Sequence, residues 1–276
     1  MLRLPRFRLL EARTYAGAAA LLREHGAAEL DPARGTPSLR VMTVAGGTDL
    51  FPNMKRRQFT PEVLVSLQRV AGATDVAANG ALHLGAGVTL STLAAHDAIR
   101  ERWTALAQAA ASVSTPQLRN AGTIGGNLCL DTRCNWYDQS QFWRSAEGFC
   151  MKTHPEVVCR VAPSSPRCLA VASADTVPAL LALGATVRIE GEGGAREVPV
   201  ADLYREDGIR FLGLGRDEVL AAVSVPGGTG WSSTYLKLRD RGSFDFPLVG
   251  IAAAVRREGG VVAEARIAVT AVSSRA

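Results

Sequence analysis

Residues 39–50 read LRVMTVAGGTDL, and this stretch decides the fold. Leu39 to Ala45 is an apolar run rich in β-branched residues, which reads as a strand. It passes directly into Gly46-Gly47. Upstream, Ala18 to His25 has helical spacing, with Ala18, Leu21 and Leu22 on one face, and it stops at Gly26 as a C-cap. Helix, strand and glycine turn in this order describe a βαβ unit that presents a ligand at the carboxyl end of its strand. Two adjacent glycines can adopt positive φ and turn backbone N–H groups into one concavity, a nest suited to a diphosphate. Thr48 and Asp49 would add hydroxyl and carboxylate contacts. The stretch is neither GxGxxG nor a Walker loop, and a plain tight turn accounts for it equally well.

A second loop, residues 120–127, reads NAGTIGGN. Three glycines in five residues exceed what a turn requires. They imply close approach of the backbone to a ligand or to a packed neighbour. Two such loops about 75 residues apart would clasp the two ends of a dinucleotide.

From Pro61 a second unit begins. Val63 to Leu67 and Ala81 to Ala86 read as strands, and a helix is expected from Ser91 to about Arg102, with Ser91 or Thr92 as N-cap. An Ala-rich helix from Thr104 to Ser112 is ended by Thr115-Pro116. Asp175 to Leu183 reads as a helix closing on Gly184, and Ala185 to Glu190 with Arg196 to Val200 as a hairpin about Gly191 to Gly194. From Gly215 onward, Val219 to Val225, Ser232 to Leu238 and Val261 to Ala271 are strand-like. Leu248 to Ala254 is apolar and of either type. The expected fold class is α+β with three subdomains, residues 1–58, 59–214 and 215–276.

A net charge of +5 is spread along the 276 residues without a basic stripe and interleaved aromatics, which excludes nucleic acid as a partner. No uninterrupted apolar segment provides a secretory signal or a membrane span. The expectation is a soluble, cytoplasmic protein with reduced thiols.

All five cysteines lie within forty residues, at Cys129, Cys134, Cys150, Cys159 and Cys168. Soft thiolates select zinc, copper(I) or Fe–S clusters, and a chance cluster of small core residues is the plain alternative. Structural zinc favours cysteines two to four residues apart, and only Cys129 and Cys134 come that close. Arg133, Arg144, Lys152, Arg160 and Arg167 would offset a cluster's negative charge, and Trp136, Tyr137, Phe142, Trp143 and Phe149 would wrap it. His154 is a candidate ligand by residue type, and an exposed loop histidine is the plainer reading.

The strand with AGGTDL at residues 45–50, NAGTIGGNL at 120–128 and DTVPAL at 175–180 together resemble the FAD-binding medium subunit of the molybdenum hydroxylases, from about Phe7 to the end. The resemblance implies that fold: two α/β subdomains clasping FAD, plus a smaller C-terminal α/β subdomain, here shortened. It implies a first diphosphate loop of Ala45, Gly46, Gly47, Thr48 and Asp49, and a second of Asn120, Thr123, Gly125, Gly126 and Asn127. Asp175 would meet the ribityl hydroxyls and Leu220 the isoalloxazine ring. Xanthine-oxidising members carry a lysine near that ring, and Leu248 stands at the corresponding place.

In most such subunits the connection from GGNL to SADTVPAL is much shorter. The roughly forty residues from Cys129 to Ala170 are similar to the insertion in the β subunit of 4-hydroxybenzoyl-CoA reductase, which carries a [4Fe-4S] cluster. This similarity implies Cys134, Cys150, Cys159 and Cys168 as ligands and leaves Cys129 out. It also implies electron transfer rather than substrate chemistry in this chain, and the sequence shows no nucleophile–base motif. Electrons from ferredoxin would enter at the cluster and pass by FAD to a [2Fe-2S] small subunit and a molybdenum-cofactor large subunit. Another molybdenum hydroxylase, or a zinc-stapled nucleotide-binding protein, are the alternatives.

Overall fold

The first layer forms because three short apolar runs pair in parallel. A computed structural model of the chain describes residues 2–26, 39–73, 76–227 and 230–276. Strand β1 (Arg8–Glu11), helix α1 (Tyr15–His25), strand β2 (Val41–Val44), helix α2 (Leu50–Lys55) and strand β3 (Val63–Ser66) build a sheet of order β1-β3-β2. β3 follows Pro61 in sequence yet is the central strand, buried along its whole length as a parallel strand covered on both faces should be. Alternation divides it: Val63 and Val65 pack with Ala18, Ala19 and Leu22 of α1, and Leu64 packs with Met54 of α2.

Helix α1 starts where Thr14 Oγ1 accepts from Gly17 N at 2.9 Å. It ends at Gly26, whose backbone is extended. Glycine is needed there because a Cβ would press on the Leu22 carbonyl, not because φ is positive.

Next come β4 (Val76–Asn79), β5 (Ala81–Gly85), α3 (Leu90–Ala95), α4 (Asp97–Arg102), α5 (Thr104–Ser112), α6 (Pro116–Arg119), α7 (Ile124–Leu128), α8 (Gln141–Glu147), α9 (Thr176–Ala182), β6 (Thr186–Gly191), β7 (Gly194–Pro199) and β8 (Val219–Val225). The strands form an antiparallel sheet of order β4-β5-β8-β6-β7. β8 follows Gly215 in sequence, yet it fills the middle of this sheet between β5 and β6. The helix expected from Ser91 to Arg102 is two helices broken at His96. Its cap is Thr89, already extended, whose Oγ1 accepts from Thr92 N at 3.1 Å. Thr115-Pro116 ends one helix and begins another, the single turn α6.

Strands β9 (Trp231–Leu238), β10 (Val249–Glu258) and β11 (Val261–Thr270) form the third sheet, order β11-β10-β9. The run from Leu248 resolves as strand because its alternate residues Ala252 and Ala254 face inward. Helices α5 and α9 lie between the second and third sheets. Ala105, Ala109, Ala179 and Ala182 meet Tyr235, Ala252 and Ala254, while Leu106, Val177 and Leu180 enter the main core under the second sheet. Alanine on one side and larger side chains on the other let each helix serve two layers. Among the described residues, no helix is long and apolar enough to cross a membrane.

Candidate functional site

The loop 45–49 joins the carboxyl end of β2 to α2. Gly47 takes φ +67°, and a Cβ there would also meet the Phe51 ring. Gly46 lies against the carbonyl of Ala121, so the two glycine loops touch backbone to backbone. Among the described residues no acceptor meets the backbone N–H groups of Gly46, Gly47, Thr48 or Asp49. These half-buried donors fit an anion, since an N–H removed from water needs a partner.

The second loop is built differently. Ile124 N donates to Val88 O and Gly125 N to Ala86 O, both at 2.9 Å. Gly126 N donates to Thr123 Oγ1 at 3.1 Å, and Asn127 N to Thr123 O at 2.9 Å. Three of its expected contact residues, Gly125, Gly126 and Asn127, thus spend their N–H groups inside the protein. Gly125 is a glycine because Ala86 occupies the space a Cβ would take. Asn120 is exposed, its Oδ1 accepting from Ser91 Oγ at 2.6 Å. This loop forms a wall behind the first and offers side chains rather than a backbone nest.

Asn127 Oδ1 accepts from Thr176 N at 3.2 Å and Thr176 Oγ1 at 2.6 Å, which brings it beside Asp175 at the start of α9. Leu220 lies in β8 opposite Ile189, buried in the core that also holds Ile124 and Leu128. Asp175 is buried with two partners that sequence reading missed. Tyr235 OH donates to Oδ1 at 2.6 Å and Lys237 Nζ to Oδ2 at 2.9 Å, with both ends of the ion pair 4 % exposed. Burial raises the Asp175 pKa and lowers that of Lys237, and each partner's charge opposes the other's shift. Lys237 Nζ and Arg239 Nη1 also donate to Ser112 O, at 3.3 and 3.1 Å, where the carboxyl end of α5 favours cations. The available signal was strand alternation, which sets Lys237 on the inward side of β9 with Tyr235.

Cys134, Cys150, Cys159 and Cys168 line one cavity, together with Trp136, Tyr137, Lys152 and Arg160. Cys129 is elsewhere, against the main core, and all five thiols are free. Among the described residues no three or more His, Cys, Asp or Glu side chains are grouped tightly enough to hold a metal ion. A single zinc would need four sulfurs about 2.3 Å from one centre. Four thiols on one cavity are the donor type that zinc or an iron–sulfur cluster takes. Burial pushes the Cys134 thiol up, and the Cys168 thiol to about 11 against the pull of the Ala170 N–H and of Lys152. Binding a metal there would require these thiols to lose their protons.

Lys152, 2 % exposed, is the buried cation of this cavity. Its Nζ donates to Asp131 Oδ1 at 2.7 Å, Gly208 O at 2.9 Å, Thr132 O at 3.1 Å and Thr132 Oγ1, and lies 4.6 Å from the Tyr137 ring. Arg160 sits over Trp136. The other expected cations act differently: Arg144 donates to the carbonyls of Tyr137, Gln139 and Arg57, and Arg167 faces Glu206. Phe142 is 84 % exposed and wraps nothing. His154 stacks on Phe149 outside the cavity.

Asp49 joins the two regions. Its Oδ1 ion-pairs with Arg133, next to Cys134, and its Oδ2 accepts from Asn53 Nδ2 at 2.8 Å. Burial raises the Asp49 pKa, and the guanidinium of Arg133 opposes that.

The family described as the FAD binding domain in molybdopterin dehydrogenase matches residues 5–228. The aldehyde oxidoreductase FAD-binding subunit PaoB of Escherichia coli K12 is 33 % identical over 232 residues, covering 78 % of this chain and 71 % of that protein. The carbon monoxide dehydrogenase medium chain of Hydrogenophaga pseudoflava is 29 % identical over 237 residues, covering 84 % of this chain and 67 % of its own length. The solved carbon monoxide dehydrogenase of that organism, lacking the Mo-pyranopterin moiety of its cofactor, superposes with a TM-score of 0.76 at 25 % identity. That match covers 99 % of this chain and 77 % of the other.

Proposed function

The chain belongs to the family of FAD-binding domains of molybdopterin dehydrogenases, and on that premise we propose that it is an electron-transfer subunit carrying both FAD and a [4Fe-4S] cluster. The observation that carries the second cofactor is the common cavity of Cys134, Cys150, Cys159 and Cys168, four thiols from a 35-residue span of irregular chain. A flavin and a thiolate-held cluster, when bound, supply one-electron exchange between centres on neighbouring subunits.

The residues of the chain bind and orient. The N–H groups of residues 46–49 receive the diphosphate, with Ala45 at the mouth of the loop. Asn120 and Thr123 border it, and Gly125, Gly126 and Asn127 hold the wall behind. In this reading the ribityl chain and ring would run past Asp175 and Leu220, both of which are buried. The four thiols, deprotonated on loading, hold the cluster, while Lys152 and Arg160 offset its negative charge and Trp136 and Tyr137 limit water.

The partners in this reading are a molybdenum-cofactor large subunit and a [2Fe-2S] small subunit, with ferredoxin as donor. The finer activity is that of a 4-hydroxybenzoyl-CoA reductase, supported by the cysteine-bearing insertion. A second reading, oxidation of an aldehyde or heterocycle, is favoured by the names of the relatives, which include an aldehyde oxidoreductase and a nicotinate dehydrogenase. Metal and flavin analysis of anaerobically purified protein tests the cofactors: one flavin and about four irons per chain are expected. Zinc in place of iron overturns the cluster. Anaerobic titration of the holoenzyme with an aldehyde, against reduced ferredoxin plus 4-hydroxybenzoyl-CoA, separates the two activities.

A further inference from the structure

Five side chains close a ring between the first glycine loop and the cysteine insertion. Asp49 ion-pairs with Arg133 and accepts from Asn53. Arg56 Nη2 donates to Asn53 Oδ1 at 2.8 Å, and Arg56 Nη1 lies 2.7 Å from Asp138 Oδ1. Asp138 Oδ1 returns to Arg133 Nη1 at 3.6 Å. Asp49, Asn53 and Arg56 are spaced four and three apart, the N-cap, an inner residue and the C-cap of α2 on one side. Arg133 precedes Cys134, and Asp138 N donates to the Cys134 carbonyl at 2.8 Å.

Arg133 is the centre of this arrangement. Its backbone exchanges two hydrogen bonds of 2.8 Å with Val171, closing the neck of the insertion. Its guanidinium lies 4.7 Å from the Phe246 ring, its side chain is 9 % exposed, and its Nε has no partner. Two carboxylates balance two guanidiniums, so the ring is neutral and holds by geometry.

We propose that this ring is a coupling device: occupation of the first glycine loop by a dinucleotide immobilises Cys134 through Asp49 and Arg133, making Arg133 a positioning residue for the thiol site. The inference rests on the reading that the FAD diphosphate lies at residues 46–49, and it stands whether or not the thiols hold iron. An anion at those N–H groups fixes the loop and the start of α2. In a closed hydrogen-bonded ring, ordering one member orders its neighbours. By reciprocity, a filled thiol site tightens the hold on the dinucleotide.

The test uses the metal-free full chain, with FAD binding followed by flavin fluorescence and Cys134 alkylation by iodoacetamide followed by peptide mass spectrometry. In the wild type, FAD slows alkylation of Cys134 by about fivefold or more. Arg133→Gln binds FAD but loses the protection. Arg133→Lys keeps part of it, because an ammonium retains the charge and not the fork. Asn53→Ala opens the ring without changing charge and also loses protection, which keeps the test decisive if Arg133→Gln misfolds. Equal alkylation with and without FAD in a wild type that binds FAD overturns the coupling, as does full protection in the opened rings. A wild type that binds no FAD overturns the underlying reading as well.

Discussion

Gly46 and Ala121 meet backbone to backbone: the α-hydrogen of the glycine faces the alanine carbonyl, with no room for a methyl group. The first glycine loop is therefore shaped by the second, 75 residues further along. Gly46→Ala must push the loops apart, because a carbonyl in a backbone loop cannot rotate away like a flexible side chain. We expect a loss of about 1–3 kcal/mol and of most bound FAD, read from urea denaturation and from flavin absorbance per chain. A variant with full flavin content contradicts this account.

The Asp175–Lys237 pair spans two layers, and Tyr235 completes it. Lys237→Met leaves a buried carboxylate without its cation and should cost about 3–5 kcal/mol. Adding Asp175→Asn should recover much of that. A double-mutant cycle in urea checks it, and strict additivity of the two substitutions excludes the coupling.

Gly208 packs against Cys168 and Ala170, which line the thiol cavity. A Cβ there would lie 2.8 Å from Cys168 Sγ and 2.8 Å from Ala170 N. Gly208→Ala should displace that sulfur and lower iron content while leaving FAD bound, as should Cys150→Ser. Iron and flavin assays on the same samples at saturating FAD decide the matter: FAD affinity falls only by the coupling between the sites, and complete loss of flavin together with iron counts against separate sites.

Cys129, in the cap position of α7, has its thiol pushed up to about 12 by burial. An unfolded thiol ionises near pH 8.5. Because the folded pKa is raised, the stabilisation is complete below about pH 8.5 and is lost as pH rises toward 12, at up to about 1.4 kcal/mol per pH unit. Cys129→Ala should flatten this alkaline decline. Urea midpoints at about pH 7 and about pH 9.5 compare the two chains, and parallel profiles refute the assignment.

Sequence alone determined what depends on near neighbours. The strand running into Gly46-Gly47, the helix Thr104–Ser112, the hairpin about Gly191 to Gly194 and the clustering of thiols all follow from periodicity and turn chemistry within a few residues. Tertiary structure decided what depends on distant partners. Only folding inserts β8 between β5 and β6, turns the Ile124 and Gly125 N–H groups onto the carbonyls of Val88 and Ala86, and brings Tyr235 and Lys237 to Asp175. It alone gathers Cys134, Cys150, Cys159 and Cys168 around one cavity and joins Arg133 to Asp49. Backbone torsions are set by local sterics. The choice of partner for a buried charge or donor is made by whichever complementary group packing delivers, and that group can lie anywhere in the chain.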